Sequence, residues 1–143
     1  MWQRYVIVLG VAGLFAAGMS SRARADAEFY SHCDGKQYKF IISEAQQASC
    51  PKWDPGTEPN PPYPAAKALE QARQFIATVP TKGDTFWTFE DLSLVDVSGG
   101  WAWRARYRLT LRGGSTGVWP SMDCWILMDG TRINPRITSE RAK

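Results

Sequence analysis

Residues 101–112 read Trp-Ala-Trp-Arg-Ala-Arg-Tyr-Arg-Leu-Thr-Leu-Arg, and this stretch decides the fold. Its odd positions are apolar, and four of its even positions are arginine. Successive side chains of an extended chain point to opposite faces, so the alternation predicts an antiparallel strand with one buried and one solvated face. We therefore interpret the rest of the chain as elements that pair with this strand or cover its apolar face.

The first 25 residues have the layout of a secretory signal peptide. An arginine precedes the apolar run over residues 5–19, and the small-residue site Ala23-Arg24-Ala25 follows it. The run is shorter than the ~20 residues that a membrane-spanning helix needs. We expect a cleaved signal over residues 1–25 and a secreted or periplasmic domain over residues 26–143, without stable membrane insertion. An uncleaved anchor is the alternative.

Export changes the charge balance of the chain. Arg4, Arg22 and Arg24 leave with the signal, so 14 basic residues remain against 14 acidic residues. A domain without net charge has no global attraction for nucleic acid or an anionic membrane. We therefore expect no nucleic-acid partner.

Turn and cap signals predict the elements ahead of residue 101. Asp34-Gly35 predicts a type I′ turn between strands over residues 29–33 and 36–42. Ser43 and Gln46 have capping-box spacing, so a short helix follows. Five prolines make residues 52–64 a stiff connector. Apolar positions three and four apart predict the main helix over residues 65–79, which Pro80 ends.

Residues 86–98 predict a strand that pairs with residues 101–112. A three-residue loop sets Val97 opposite Trp101 and Glu90 opposite Arg108, whereas a two-residue Gly99-Gly100 turn shifts the parity by one. We favour the first, because it places an acid against an arginine. This register has one disadvantage, because Leu92 and Leu94 would then face the same side as the arginines.

A third strand near residues 122–128, the Asp129-Gly130 turn and an edge segment over residues 131–137 complete the sheet. The sequence thus predicts an α+β domain, with one main helix on a curled antiparallel sheet of three to four strands. Residues 26–64 form the N-terminal hairpin and proline-rich connector, and residues 65–143 form the helix and sheet.

The predicted element order is similar to that of the cystatin-like and nuclear-transport-factor-like rolls. Val95-Asp96-Val97-Ser98-Gly99 is also similar to the first inhibitory hairpin of cystatins, but the leading glutamine of that motif is absent. The second resemblance covers five residues of one turn. We infer neither a family nor protease inhibition from it.

An exported chain with three cysteines has three alternative single disulfides. We favour Cys33 to Cys50, because both lie in the irregular N-terminal region, and such a loop would contribute about 3 kcal/mol. Cys124, in a strand pattern, would then be a small buried residue.

Two surfaces are candidates for ligand binding. Arg104, Arg106 and Arg108 lie about 7 Å apart along one strand face and could grip phosphate, sulfate or carboxylate; cross-strand ion pairing is the alternative. Trp101 and Trp103 could stack on sugars or other flat ligands; core packing is the alternative. The helix spans about 22 Å of a strand about 40 Å long, so the N-terminal hairpin, a second chain or a ligand must cover the overhang.

No residue pattern predicts catalysis, a cofactor or a metal. His32 and Cys33 are adjacent on a strand and point apart, and one histidine with three scattered cysteines lacks zinc spacing. We expect a non-catalytic domain that binds a small ligand or another envelope or secreted protein. The alternatives are a homodimer that buries the overhanging aromatic face, and a small hydrolase or thiol enzyme with a pocket between helix and sheet.

Overall fold

The computed structural model describes residues 25–114 and 119–139. Apart from Ala25, the predicted signal peptide lies outside these residues. The elements in chain order are β1 (Ala27–Cys33), β2 (Lys36–Ile42), α1 (Glu44–Ser49), α2 (Ala65–Ile76), β3 (Thr85–Val97), β4 (Gly100–Leu111), β5 (Ser121–Leu127) and β6 (Arg136–Ser139). The strands form two antiparallel three-stranded sheets, ordered β1-β2-β6 and β3-β4-β5. The chain is therefore α+β with antiparallel sheets.

Two local predictions are confirmed by backbone geometry. Asp34 and Gly35 have φ of 56° and 66°, as a type I′ turn requires, and they join β1 to β2. At the start of α1, the Ser43 hydroxyl accepts from the amide of Gln46, and the Ser43 amide donates to the Gln46 side chain at 2.9 Å. This is the predicted capping box.

The β3–β4 turn differs from both predicted alternatives. Ser98 and Gly99 have φ of 51° and 76° and form a two-residue type I′ turn, so Val97 pairs with Gly100. The favoured register is thus wrong by one residue. In the observed register, Leu92 and Leu94 lie on the same face of the sheet as the tryptophans. The favoured register would have placed these two leucines on the arginine side.

A β-bulge at Glu90 shifts by one residue which side chains of β3 face the core. The register shifts between Phe89 and Asp91, and Phe89 then pairs with Tyr107 on the tryptophan side. One extra residue therefore keeps both halves of β3 facing the core, although its apolar residues do not alternate strictly.

The end of the chain joins a different sheet from the predicted one. After β5, the amide of Ile133 donates to the carbonyl of Trp125 at 2.9 Å, and an isolated bridge links Ile126 to Arg132. Pro135 has no N–H to extend this pairing. The following residues pair instead with β2. The sheet β3-β4-β5 thus has three strands, and the last strand joins the N-terminal hairpin, whereas the sequence predicts it at the edge of the main sheet.

Both faces of the sheet β3-β4-β5 carry packed side chains. We call them the apolar face, with Trp101, Trp103 and Tyr107, and the arginine face, with Arg104 and Arg106. Helix α2 packs against β4 and β5. On β5, Trp125 pairs with Arg104 and stacks on Phe29 of β1, with ring centroids 3.9 Å apart. The two sheets therefore meet at β5.

The three cysteines are free and buried, so the predicted Cys33–Cys50 disulfide is absent. Cys33 pairs with Lys36 at the turn end of the β1–β2 hairpin, and β2 then carries the chain about 20 Å away before α1 begins. Cys50 follows α1, and its thiol donates to the carbonyl of Gln46. The favoured pairing is wrong because the predicted second strand of the hairpin separates the two cysteines. Cys124 is fully buried, as predicted.

Within residues 25–114 and 119–139, no helix is long and apolar enough to cross a membrane.

A candidate ligand-binding cleft

The arginine face is a ladder of ion pairs. The pairs are Arg104–Asp91, Arg106–Asp123 and Arg108–Glu90. The second is bidentate, with Arg106 Nε 2.8 Å and a terminal nitrogen 3.1 Å from the two oxygens of Asp123. That carboxylate raises the pKa of Arg106. An external anion would have to compete with these carboxylates, and anion binding by the three arginines stays a prediction.

The two predicted tryptophans lie in different environments. Trp103 is buried, and its Nε1 donates to the carbonyl of Tyr63 at 2.8 Å, so its ring is part of the core. Trp101 is half-buried and meets Trp53 edge to face, with ring centroids 5.5 Å apart and an interplanar angle of 72°. Of the predicted pair, Trp101 alone borders open space.

That space is a cleft of about 280 Å³ where three segments meet. The segments are α1, the chain that follows it, and the β3–β4 turn. We call it the Trp53–Trp101 cleft, and its principal walls are Gln47, Lys52, Trp53, Asp96, Gly100 and Trp101. One cation and one anion thus lie beside two indoles and an amide.

Gln47 is the unusual residue of this cleft. It is 1% exposed, and neither its amide nitrogen nor its amide oxygen has a hydrogen-bond partner among the described residues. A buried polar group without a partner costs about 1–3 kcal/mol. A Cβ at residue 100 would collide with the Gln47 oxygen, so the absence of a side chain at Gly100 permits this close approach, and a larger residue would force the Gln47 side chain to shift.

Other buried polar atoms also lack partners, but they border neither of the two clefts described here. They are Arg104 Nε, Tyr107 Oη, Trp119 Nε1 and Trp125 Nε1. Each residue leaves one atom unpaired, whereas Gln47 leaves both its donor and its acceptor. Gln47 is therefore the residue of the Trp53–Trp101 cleft whose side chain leaves both a donor and an acceptor unpaired, and both atoms are almost without accessible surface.

A second cleft, of about 420 Å³, is larger, and three of its polar side chains have partners. Its Asp26 accepts from the amide of Glu44 at 3.2 Å, its Lys39 pairs with Glu28 at 2.7 Å, and its Arg132 donates to Asn134. These three side chains already have hydrogen-bond or ion-pair partners, whereas the amide of Gln47 has none.

The described thiols are poor nucleophiles. Burial raises the pKa of Cys33 and Cys50, and raises that of Cys124 to about 12. A catalytic cysteine needs the opposite shift, because the thiolate is the reactive form. Among residues 25–114 and 119–139, no group of three or more histidine, cysteine, aspartate and glutamate residues could hold a metal ion.

Sequence reasoning missed Gln47 and Trp53. Gln47 lies on a predicted short helix, but its isolation depends on the approach of Gly100, which no local pattern shows. Trp53 lies in the proline-rich connector, which we interpreted as a spacer. A large aromatic side chain in a spacer was a usable signal, because it must find apolar contact.

No protein-family model, curated protein or solved structure matches the chain.

Proposed function

We propose that the protein is an exported, non-catalytic domain that binds a small molecule in the Trp53–Trp101 cleft. The N-terminal sequence pattern supports export. The observation that carries the binding proposal is the Gln47 amide, which is buried at the cleft with both polar atoms unpaired. Buried polar groups are normally hydrogen-bonded. Because the Gln47 amide has almost no accessible surface, a ligand that offers a donor and an acceptor would satisfy it once the side chain turns toward the cleft.

The size and walls of the cleft support a small ligand. Its volume of about 280 Å³ is just below the range of known ligand pockets, which starts at about 300 Å³. Trp53 and Trp101 supply apolar surface, while Lys52 and Asp96 supply polar groups. Such a mixture of apolar walls with a few placed polar groups is typical of ligand sites.

The curled roll expected from the element order is part of the same proposal. Contacts of α2 with β3, β4 and β5 support it, as does the bulge at Glu90, since bulges bend a strand. In such a roll the cleft would lie at the end of the sheet where β3 turns into β4.

The test is a thermal-shift screen of residues 26–143 against neutral sugars, amino acids, nucleosides and free bases. A compound that binds in the cleft should raise the Tm of the wild type and lose this effect in Trp53→Leu and in Trp101→Leu. Trp87→Leu is the control, because Trp87 bonds to the Val79 carbonyl outside the cleft and should preserve the shift. A compound that stabilises all four proteins equally would place binding elsewhere and contradict the proposal.

A further inference from the structure

We infer that the ligand is an uncharged saccharide, whose C–H surface packs on the tryptophans and whose adjacent hydroxyls bond to the Gln47 amide when that side chain turns into the cleft. This inference rests on the proposed function and names the ligand class for the same cleft.

The chemistry of Gln47 narrows the class first. Its side chain presents a donor and an acceptor side by side, and both are unpaired. Adjacent hydroxyls of a sugar ring meet this pair, because each hydroxyl both donates and accepts. A purely apolar ligand would leave the Gln47 amide without a hydrogen-bond partner and would also shield it from water.

Charge narrows the class further. Lys52 and Asp96 are the two charged residues of the cleft walls, and their charges cancel. An ion taken from water needs a paired counter-charge, and the neutral Gln47 amide does not provide one. Lys52 is moreover held toward α1, since its Nζ lies 3.4 Å from the carbonyl of Gln47. An uncharged ligand therefore fits better than a phosphate or a carboxylate.

The arrangement of the indoles separates a sugar from a flat aromatic ligand. Trp53 and Trp101 meet at 72°, so they form a corner and not two parallel walls. A free base would stack on one ring and present its edge to the other. A saccharide offers C–H groups on its faces and hydroxyls around its rim, so a corner of indoles with an amide beside it contacts both kinds of group.

The experiment is isothermal titration of residues 26–143 with glucose, galactose, mannose, N-acetylglucosamine and their disaccharides. Sorbitol, adenine and acetamide serve as probes of other chemistry. We expect saturable binding of at least one saccharide at one site per chain. Deoxy analogues of that sugar should include one that binds about tenfold more weakly, the equivalent of about 1.4 kcal/mol.

Two variants connect the binding to the amide. Gln47→Leu should weaken saccharide binding by tenfold or more, and Gly100→Ala should do the same, since its Cβ would displace the Gln47 oxygen. Gln71→Leu and Gly56→Ala make the same changes away from the cleft and should leave binding unchanged. Circular dichroism of each variant separates lost binding from lost folding.

The outcomes distinguish the two levels of proposal. Saccharide binding that survives Gln47→Leu and Gly100→Ala overturns the inference. If adenine or acetamide binds instead, and Trp101→Leu abolishes that binding, the saccharide is wrong and the proposed function stands. If no probe binds here and no compound of the thermal-shift screen depends on the tryptophans, both fail.

Discussion

At the scale of single residues, the unpaired amide of Gln47 should lower the stability of the ligand-free protein. Leucine is close to glutamine in size and has no polar atom to leave unpaired. We expect Gln47→Leu to raise the free energy of unfolding by about 1–3 kcal/mol, the cost of an unsatisfied buried group. Urea unfolding of the ligand-free protein measures this change.

Gln71→Leu is the matched control for this prediction. The Gln71 amide donates to the Tyr63 hydroxyl and to the Gly130 carbonyl, so its replacement should lower the free energy of unfolding by about 1 kcal/mol. Opposite signs for the same substitution at two sites are the expected result. A loss of stability in both variants would mean that the Gln47 amide has partners in solution, which removes the observation behind the binding proposal.

Cys124 should give the protein a stability that falls at high pH. Burial raises its pKa to about 12, whereas an unfolded thiol titrates near pH 8.5. Below about pH 8.5 the thiol is neutral in both states and its contribution is fully present. As the pH rises toward 12, the unfolded state alone loses the proton, so the free energy of unfolding falls by at most about 1.4 kcal/mol per pH unit.

The comparison of wild type with Cys124→Ala isolates this effect. Urea unfolding at pH 7, 9 and 10 should show a shallower fall for the variant, although its stability at pH 7 is lower because a methyl group replaces the buried thiol. Parallel pH dependence in the two proteins would mean that Cys124 is accessible to water in the folded state.

At the scale of elements, the β3–β4 turn carries avoidable strain. Ser98 has φ of 51°, a left-handed conformation that asparagine adopts more readily than serine. Asn-Gly is also the preferred pair for a type I′ turn. We expect Ser98→Asn to raise the free energy of unfolding by about 0.5–1 kcal/mol, measured by urea unfolding.

Ser93→Asn provides the contrast for the turn. Ser93 lies within β3 and pairs with Arg104 of β4. Asparagine is disfavoured in strands, so this substitution should lower stability. If Ser98→Asn is also destabilising, the turn in solution is not the two-residue type I′ turn, and the register of β3 has to be revised.

Elements governed by local signals were predictable, and those governed by distant contacts were not. Asp34-Gly35 and the Ser43–Gln46 capping box hold their geometry through neighbours in sequence. Ser98-Gly99-Gly100 permits several turns, and the choice depends on where Leu92 and Leu94 are buried across the sheet. The pairing of β6 with β2 joins segments about a hundred residues apart, for which the sequence offers no pattern.

At the scale of the whole molecule, the proline-rich connector packs against the sheet β3-β4-β5 as well as joining two elements. The overhanging aromatic face needs a cover, for which the sequence suggests the N-terminal hairpin, a second chain or a ligand. The connector supplies it in part, because Trp53 contacts Trp101 and the Tyr63 carbonyl accepts from Trp103. What remains open beside Trp101 is the cleft, whose volume of about 280 Å³ is close to that of small-ligand pockets.

This arrangement leads us to expect a monomer. Among the described residues of β3, Phe86 and Phe89 are 45% and 43% exposed. Phe86 pairs with Thr110 and Phe89 with Tyr107, so they lie on opposite faces of the sheet and form no continuous apolar patch. The bulge at Glu90 also interrupts the edge of β3, which is a known protection against pairing between edges.

Light scattering of residues 26–143 at about 100 μM should give the mass of one chain. Stable interfaces bury roughly 1,000 Å² or more. The exposed large apolar side chains of the described residues are scattered over both sheets and do not supply such an area; they are Tyr30, Phe86, Phe89 and Ile137. A dimer that Phe89→Ser dissociates would place the interface on β3 and favour the homodimer alternative. A dimer that persists in Phe89→Ser and dissociates in Trp101→Leu would put a second chain in the cleft, and the small-molecule proposal would then be wrong.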